Sequence, residues 1–131
     1  MEIGKLGMWF FLDAMSAEDS AAFAKKTEQQ GYSALWMPEA AGREPFSHAA
    51  YLLSKTDRLI LATGIANVWA RGAMAMMAGA RTCAELSGGR FLLGIGVSHA
   101  PLVSKLRGEV YSKPYSYMKE YLPQMKASVY A

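Results

Sequence analysis

The apolar residues of this chain come in short, punctuated runs. Met8-Trp9-Phe10-Phe11-Leu12 is continuous and aromatic. Ala34-Leu35-Trp36-Met37 follows soon after Gly31. Leu59-Ile60-Leu61-Ala62 ends at Thr63-Gly64, and Phe91-Leu92-Leu93-Gly94-Ile95 follows Ser87-Gly88-Gly89. Continuous rather than alternating runs of this length fit strands buried on both faces, the pattern of a parallel sheet. Between the runs the apolar spacing becomes helical. Residues 16–30 open with Ser16-Ala17-Glu18-Asp19, a capping serine followed by acids that suit a helix N-terminus, and Gly31 is placed to end that helix as its C′ residue. A second helix is expected from near Pro45, with Phe46, Ala49, Ala50 and Leu53 on one face. A third, over 73–86, is rich in Met and Ala and stops at Ser87-Gly88-Gly89. A fourth begins near Pro114 and gathers Met118, Tyr121, Leu122 and Met125 on one side. Pro123 falls inside that last pattern. It removes a backbone hydrogen bond and crowds the preceding turn, so a kink or a break into two pieces is expected there.

The predicted order is β-α-β-α-β-α-β, then a loop and a final helix, with short connections. Regular alternation argues for parallel βα units with right-handed crossovers. No Gly/Ser-rich or Pro-rich linker divides the chain, so residues 1–131 read as a single α/β domain, and the units show no convincing internal repeat.

Composition narrows this further. The chain has 131 residues, 52% of them hydrophobic and 19% charged, which is a globular composition and enough to bury a core. The net charge of +3 lies wholly in residues 101–131, where Lys105, Arg107, Lys113, Lys119 and Lys126 face only Glu109 and Glu120. Dispersed single charges of this kind fit a solvated helix face or contact with an anionic partner; no nucleic-acid motif accompanies them. The lone Cys83 forms no disulfide framework or CxxC pair and sits among apolar helical neighbours, as a buried core thiol does. No apolar run approaches the length of a membrane span and none resembles a signal segment, so no membrane contact and a reducing cytoplasm are expected.

In parallel α/β folds, ligands gather at the C-terminal ends of the strands. Here those ends carry Asp13, then Pro38-Glu39, then Thr63 to Trp69, then Gly94 to Pro101. Gly94-Ile95-Gly96-Val97-Ser98-His99 is the richest segment. Two glycines at a strand end let a flat ring or a phosphate approach the backbone; alternatively they relieve crowding at a rim. The segment is not a dinucleotide fingerprint, and the adjacent Ser98 and His99 lack the acid a hydrolase triad needs. In Thr63-Gly64-Ile65-Ala66-Asn67, Gly64 permits unusual backbone and Asn67 offers both donor and acceptor, which suits a ring with neighbouring carbonyl and N–H groups; Asn67 can equally satisfy its own turn. Glu39 is a candidate carboxylate at a pocket mouth, an exposed loop acid, or a partner of Arg43. His48 reads as structural or exposed. Arg71 reads as a phosphate ligand or as a cap on the sheet rim. The Met-rich helix reads as adaptable core, and no metal-ligand spacing is present.

Three blocks together resemble the bacterial-luciferase-like flavin-dependent monooxygenase superfamily: Gly31-Tyr32-Ser33-Ala34-Leu35-Trp36-Met37-Pro38-Glu39, Leu61-Ala62-Thr63-Gly64-Ile65-Ala66-Asn67, and Gly89-Arg90-Phe91-Leu92-Leu93-Gly94-Ile95-Gly96-Val97-Ser98. They stand in the family's order and spacing. Residues 42–50 (GREPFSHAA) and 97–103 (VSHAPLV) place the likeness closest to the deazaflavin (coenzyme F420)-dependent oxidoreductases.

The resemblance implies a (β/α)8 barrel whose strand ends hold a flavin or deazaflavin ring. It implies a bulge at the end of the third strand, often with a non-proline cis peptide, which maps onto Gly64, Ile65, Ala66 and Asn67. Gly94, Gly96 and Ser98 map to the ring's surroundings, and Asp13, Glu39 and His99 become the substrate or pocket candidates. The implied cofactor is F420, with FMN as the alternative, and the implied reaction is hydride transfer between the reduced deazaflavin and a small organic substrate. A complete barrel needs about 250 residues, so the chain corresponds to a truncated half barrel of about four units. Such a half has open edges and an open apolar face, from which self-association into a homodimer is expected. A non-catalytic half barrel that folds by oligomerising, and a fragment of an FMN-dependent monooxygenase, remain the alternatives.

Overall fold

The structure, a computed structural model, describes residues 1–128; the last three residues of the expected domain lie outside them. The elements are β1 (Gly7–Trp9), α1 (Ala17–Gln29), β2 (Ala34–Met37), α2 (Pro45–Leu53), β3 (Ile60–Thr63), β4 (Ala66–Asn67), α3 (Ala73–Leu86), β5 (Phe91–Leu92), β6 (Ile95–Gly96), a π-helical segment (Pro101–Leu106) and α4 (Pro114–Ala127). The main sheet has the order β1-β2-β3-β5, wholly parallel, and β4 pairs with β6 in a second, two-stranded parallel sheet.

Local chemistry explains the helix boundaries. The Ser16 hydroxyl accepts from Asp19 N–H, and Gly31 leaves α1 at φ +86°. Pro45 opens α2, where the Glu44 carboxylate caps Phe46 and Ser47 N–H. α4 runs through Pro123 as one helix, so the expected break into two does not occur. Pro123 and Lys119, whose carbonyl loses its donor, are both exposed to water. On the opposite side Met118, Tyr121, Leu122 and Met125 pack against the core and hold the helix together.

Two expectations about the strands need correction. The first run pairs over Gly7–Trp9 rather than continuing to Leu12. Phe10 N–H still donates to Trp36 O at 3.0 Å, but the next rung would need an N–H from Pro38, which has none. Nor is every strand buried on both faces. β3 is buried throughout, whereas Trp9 on β1 is 58% exposed. All helices pack on one side of the sheet, with Leu35, Met37, Leu61, Phe91, Ala49, Leu52, Met76 and Cys83 in a single core. The other side carries the row Trp9, Trp36, Ala62 and Leu92, in register across the four strands and outside that core. The sheet therefore has one helix-covered face and one open face.

The third and fourth expected strands are each divided in two. Between β3 and β4 lies a cis peptide bond, Gly64–Ile65, in the segment where the family resemblance implies a bulge. Between β5 and β6 lies Gly94. At this step the Thr63 hydroxyl replaces the backbone ladder: it accepts from Gly94 N–H at 2.9 Å and donates to Gly94 O at 2.8 Å. Pairing then resumes one layer on, as Ala66↔Ile95 and Asn67↔Gly96.

Candidate functional site

The C-terminal strand ends assemble one polar and aromatic layer. At its centre Gly64 and Ile65 are half-buried. The Gly64 carbonyl accepts from the Trp9 indole N–H at 2.9 Å, and Gly64 N–H donates to Met37 O at 2.8 Å. A Cβ on Gly64 would stand 3.4 Å from both the Trp9 and Trp36 rings. Two indoles and a side-chain-free backbone thus form a flat apolar wall on the open face of the sheet.

The glycines of the richest segment have internal reasons to be glycine. A Cβ on Gly94 would lie 2.2 Å from Thr63 O, and one on Gly96 would lie 2.8 Å from the Ile65 side chain. The rim-crowding reading of these two positions therefore holds in the structure, whatever a ligand adds. Ser98 takes a left-handed φ of +54°, and its carbonyl accepts from the Tyr111 hydroxyl at 3.3 Å. His99 is exposed just beyond it.

Glu39 is neither an exposed loop acid nor a partner of Arg43. It is buried, and Arg71 grips it with two hydrogen bonds of 2.6 and 2.8 Å. Arg107 adds a third at 3.1 Å and also bonds Ala40 O. Arg71 thereby acts as the rim residue rather than as a free anion ligand. Arg107 gives one charge of the basic C-terminal segment an internal partner, while Lys105, Lys113, Lys119 and Lys126 are solvated. The Asn67 side chain closes its own turn, its Oδ1 accepting from Trp69 N–H at 3.0 Å. Its Nδ2, fully buried, has no partner among the described residues, and neither has Arg107 Nε.

Asp13 lies to one side, its Oδ2 accepting from Gly42 N–H at 2.9 Å and so tying together the loops after β1 and β2. Beside it, buried His48 has a structural role. Its Nε2 lies 2.8 Å from Arg43 Nη1 and 3.2 Å from the Ser20 hydroxyl, and Arg43 also reaches Met15 O. A guanidinium only donates, so Nε2 is an unprotonated acceptor. Burial first, and the Arg43 charge second, push the His48 pKa down to about 4, with Asp13 opposing. Cys83 is a buried thiol as expected; burial chiefly raises its pKa to about 11. No group of His, Cys, Asp and Glu among the described residues could hold a metal ion.

Several site residues escape a reading of motifs. Trp9 and Trp36 become one wall only when the β1–β2 register is known. Trp69 stacks on Tyr117 at 3.9 Å between ring centroids, with Tyr111 at 5.3 Å, and its indole donates to Val97 O at 2.8 Å. Tyr121 donates to Arg71 O at 2.9 Å, with its pKa pushed up to about 12 by burial and then by Tyr117. This aromatic group clamps the loops after β4 and β6. Trp69 falls at an expected strand end; the partners that pack around it show in the sequence only as the density of tyrosines between residues 111 and 121.

A parallel sheet whose strand order follows chain order, with helices on one face and polar residues gathered at the C-terminal strand ends, is an arc of a TIM-type α/β barrel. The chain belongs to the luciferase-like monooxygenase family, which it matches over residues 5–130. It is 32% identical over 123 residues to a Mycobacterium tuberculosis protein named "Putative coenzyme F420-dependent oxidoreductase", covering 93% of this chain but 35% of that protein. It superposes on the coenzyme F420-dependent tetrahydromethanopterin reductase of Methanopyrus kandleri with a TM-score of 0.80, at 18% identity, covering 92% of this chain and 38% of the reductase. It also superposes on the oxygenating constituent of 3,6-diketocamphane monooxygenase from Pseudomonas putida, solved in complex with FMN, with a TM-score of 0.73, at 17% identity, covering 92% and 38% of the two chains. The chain thus spans little more than a third of the length of these proteins. No helix among the described residues is long and apolar enough to cross a membrane.

Proposed function

We propose that this chain supplies the ring-facing half of an F420-dependent oxidoreductase, in which hydride passes between the reduced deazaflavin and a small organic substrate in the cytoplasm. The observation that carries this reading is the half-buried Gly64–Ile65 segment lying beside Trp9 and Trp36 on the open face of the sheet. A flat tricyclic ring fits such a wall: side-chain-free backbone allows close approach, and the indoles supply apolar contact. The 32% identical F420-named relative favours deazaflavin over FMN, which remains the alternative cofactor.

When bound, the deazaflavin supplies the hydride. The protein's part is orientation and the exclusion of water. Trp9 and Trp36 cover one side of the ring site, and the Trp9 indole occupies the Gly64 carbonyl, so the wall presents no loose acceptor there. Gly64 to Asn67, Gly94, Gly96 and Ser98 border the ring. Among the pocket candidates, Asp13 and Glu39 are engaged by Gly42 and by two arginines, which leaves the exposed His99 as the side chain positioned to meet a substrate.

Catalysis on this reading needs the strand ends that the four units do not provide. The open face is apolar, carrying Trp9, 58% exposed, beside the half-buried Trp36 and Leu92. A second copy with the same face and the same two open edges is the simplest cover, so the chain forms a homodimer. Sedimentation velocity of the pure chain at micromolar concentration, followed in both the protein's and the added cofactor's absorbance, tests both statements. The expected result is a dimer boundary that carries F420, and carries FMN more weakly. A monomer boundary overturns the dimer. If neither cofactor co-sediments at high micromolar concentration, the cofactor reading is overturned for this polypeptide and the non-catalytic half barrel is left.

A further inference from the structure

Glu39 stands two residues beyond β2, with its side chain 2% exposed. Four N–H groups converge on its two oxygens. Oε1 accepts from Arg71 Nη2 and Arg107 Nη2, and Oε2 accepts from Arg71 Nη1 and from the backbone N–H of Asn67 at 2.8 Å. A carboxylate has about four lone-pair directions, so none is left for a ligand. The backbone N–H of the same residue donates to Ile65 O at 3.0 Å. Glu39 therefore holds the 65–67 segment at both ends.

The two arginines are not equivalent. Arg71 is bidentate and also lies 3.6 Å from the exposed Glu44, whereas Arg107 makes a single bond from the segment that follows β6. If Arg107 departs, the buried carboxylate keeps a full partner. If Glu39 is neutralised, the two cations lose the buried charge they share, and only the exposed Glu44 still faces Arg71.

We propose that Glu39 is a positioning residue for the ring-facing segment rather than an acid–base group or a ligand contact. Its carboxylate fixes the Asn67 amide and, through Arg107, straps residues 97–107 across the strand ends. The connection to a cofactor rests on the function proposed above; the positioning itself does not.

Amide hydrogen exchange on the whole chain, with no ligand present, tests this directly. Glu39→Gln preserves size but removes the charge and turns one acceptor toward the arginines into a donor. Exchange at Asn67 N–H, and at Val103 and Arg107 N–H in the strap, is expected to rise about tenfold or more, the effect of losing a charge-assisted bond. Arg107→Ala, which removes the outer bond to Glu39 and the bond to Ala40 O but leaves the Arg71 and Asn67 bonds to the carboxylate in place, is expected to speed exchange in the strap and leave Asn67 slow; it also decides the matter if the Gln variant does not fold. F420 titration of the same proteins is expected to show about tenfold weaker binding for Glu39→Gln. Unchanged exchange at Asn67 in Glu39→Gln, or equal acceleration of Asn67 and the strap in Arg107→Ala, overturns the proposal. So does lost F420 binding with unchanged exchange, which makes Glu39 a direct contact. If the unaltered chain binds no F420, the proposed function fails while the exchange data still decide the role of Glu39.

Discussion

The two ends of the sheet use the same charged residues in opposite ways. At the N-terminal strand ends, Glu28 on α1 accepts from three successive backbone N–H groups, those of Asp57, Arg58 and Leu59, at 3.1, 2.8 and 2.7 Å. Arg90 answers with bonds to Ser87 O, Leu59 O, Leu53 O and the Thr56 hydroxyl. Each side chain there closes backbone groups that would otherwise be orphaned. At the C-terminal ends one buried acid is shared between two arginines, two buried N–H groups lack partners among the described residues, and a serine sits in left-handed backbone. One end is chemically closed, and the other retains unused hydrogen-bonding capacity and strain. This is the division of labour expected of barrel-type folds, with stability below and function above.

The largest expected effect probes glycine at the two ends. Gly94→Ala forces a Cβ to within 2.2 Å of Thr63 O and is expected to cost about 3 kcal/mol or more. Gly31→Ala has open space around its Cβ and only a φ of +86° against it, and should cost about 1 kcal/mol. Urea denaturation of both variants measures the contrast; equal losses would dissolve it.

Acid comes next, because the two ends should fail at different pH. Buried His48, with Arg43, Asp13 and Glu44 about it, is held neutral with its pKa near 4, against 6.5 in the unfolded chain. As pH falls the unfolded chain takes up the proton first. The contribution of His48 is therefore whole above pH 6.5 and is lost as pH drops to about 4, by on the order of 3 kcal/mol. Burial alone would raise the Glu28 pKa, but the backbone N–H bonds from Arg58, Leu59 and Asp57 bring it below 4.5. Its contribution is present above 4.5 and is lost only below that. Stability measured from pH 7 to 4 should decline in the parent chain and much less in His48→Gln.

The smallest effect isolates the closed end. Glu28→Ala should lower stability by about 1–2 kcal/mol, since water replaces much of what the carboxylate gave, while F420 binding stays within twofold of the parent chain. A change in affinity as large as that of Glu39→Gln would erase the distinction between the ends.

What was legible in the sequence follows the range of each interaction. The α1 cap, the Gly31 stop and the apolar face of α4 are set by residues within a few positions of one another, and all appear where the pattern puts them. β1 stops early because of Pro38, which lies opposite only after the strands pair. The division of the third and fourth strands depends on Thr63 meeting Gly94, 31 residues away. Glu39 could be placed at a strand end, but its partners lie 32 and 68 residues further along, and no local spacing announces them. The cis bond was reachable only through family likeness, because nothing in the string Thr-Gly-Ile-Ala-Asn dictates it.

The sequential strand order has a consequence for how the chain is made. Each strand of the main sheet pairs with the main-sheet strand that precedes it along the chain. Every added βα unit therefore docks on an edge that is already built, and side chains such as Arg90 and Arg107 then tie it back to the units before it. The closures that join successive strands are of similar size, and their entropic cost rises only slowly with length. A polypeptide arranged in this way can be laid down in the order in which a ribosome releases it, with the growing edge always the most recent strand.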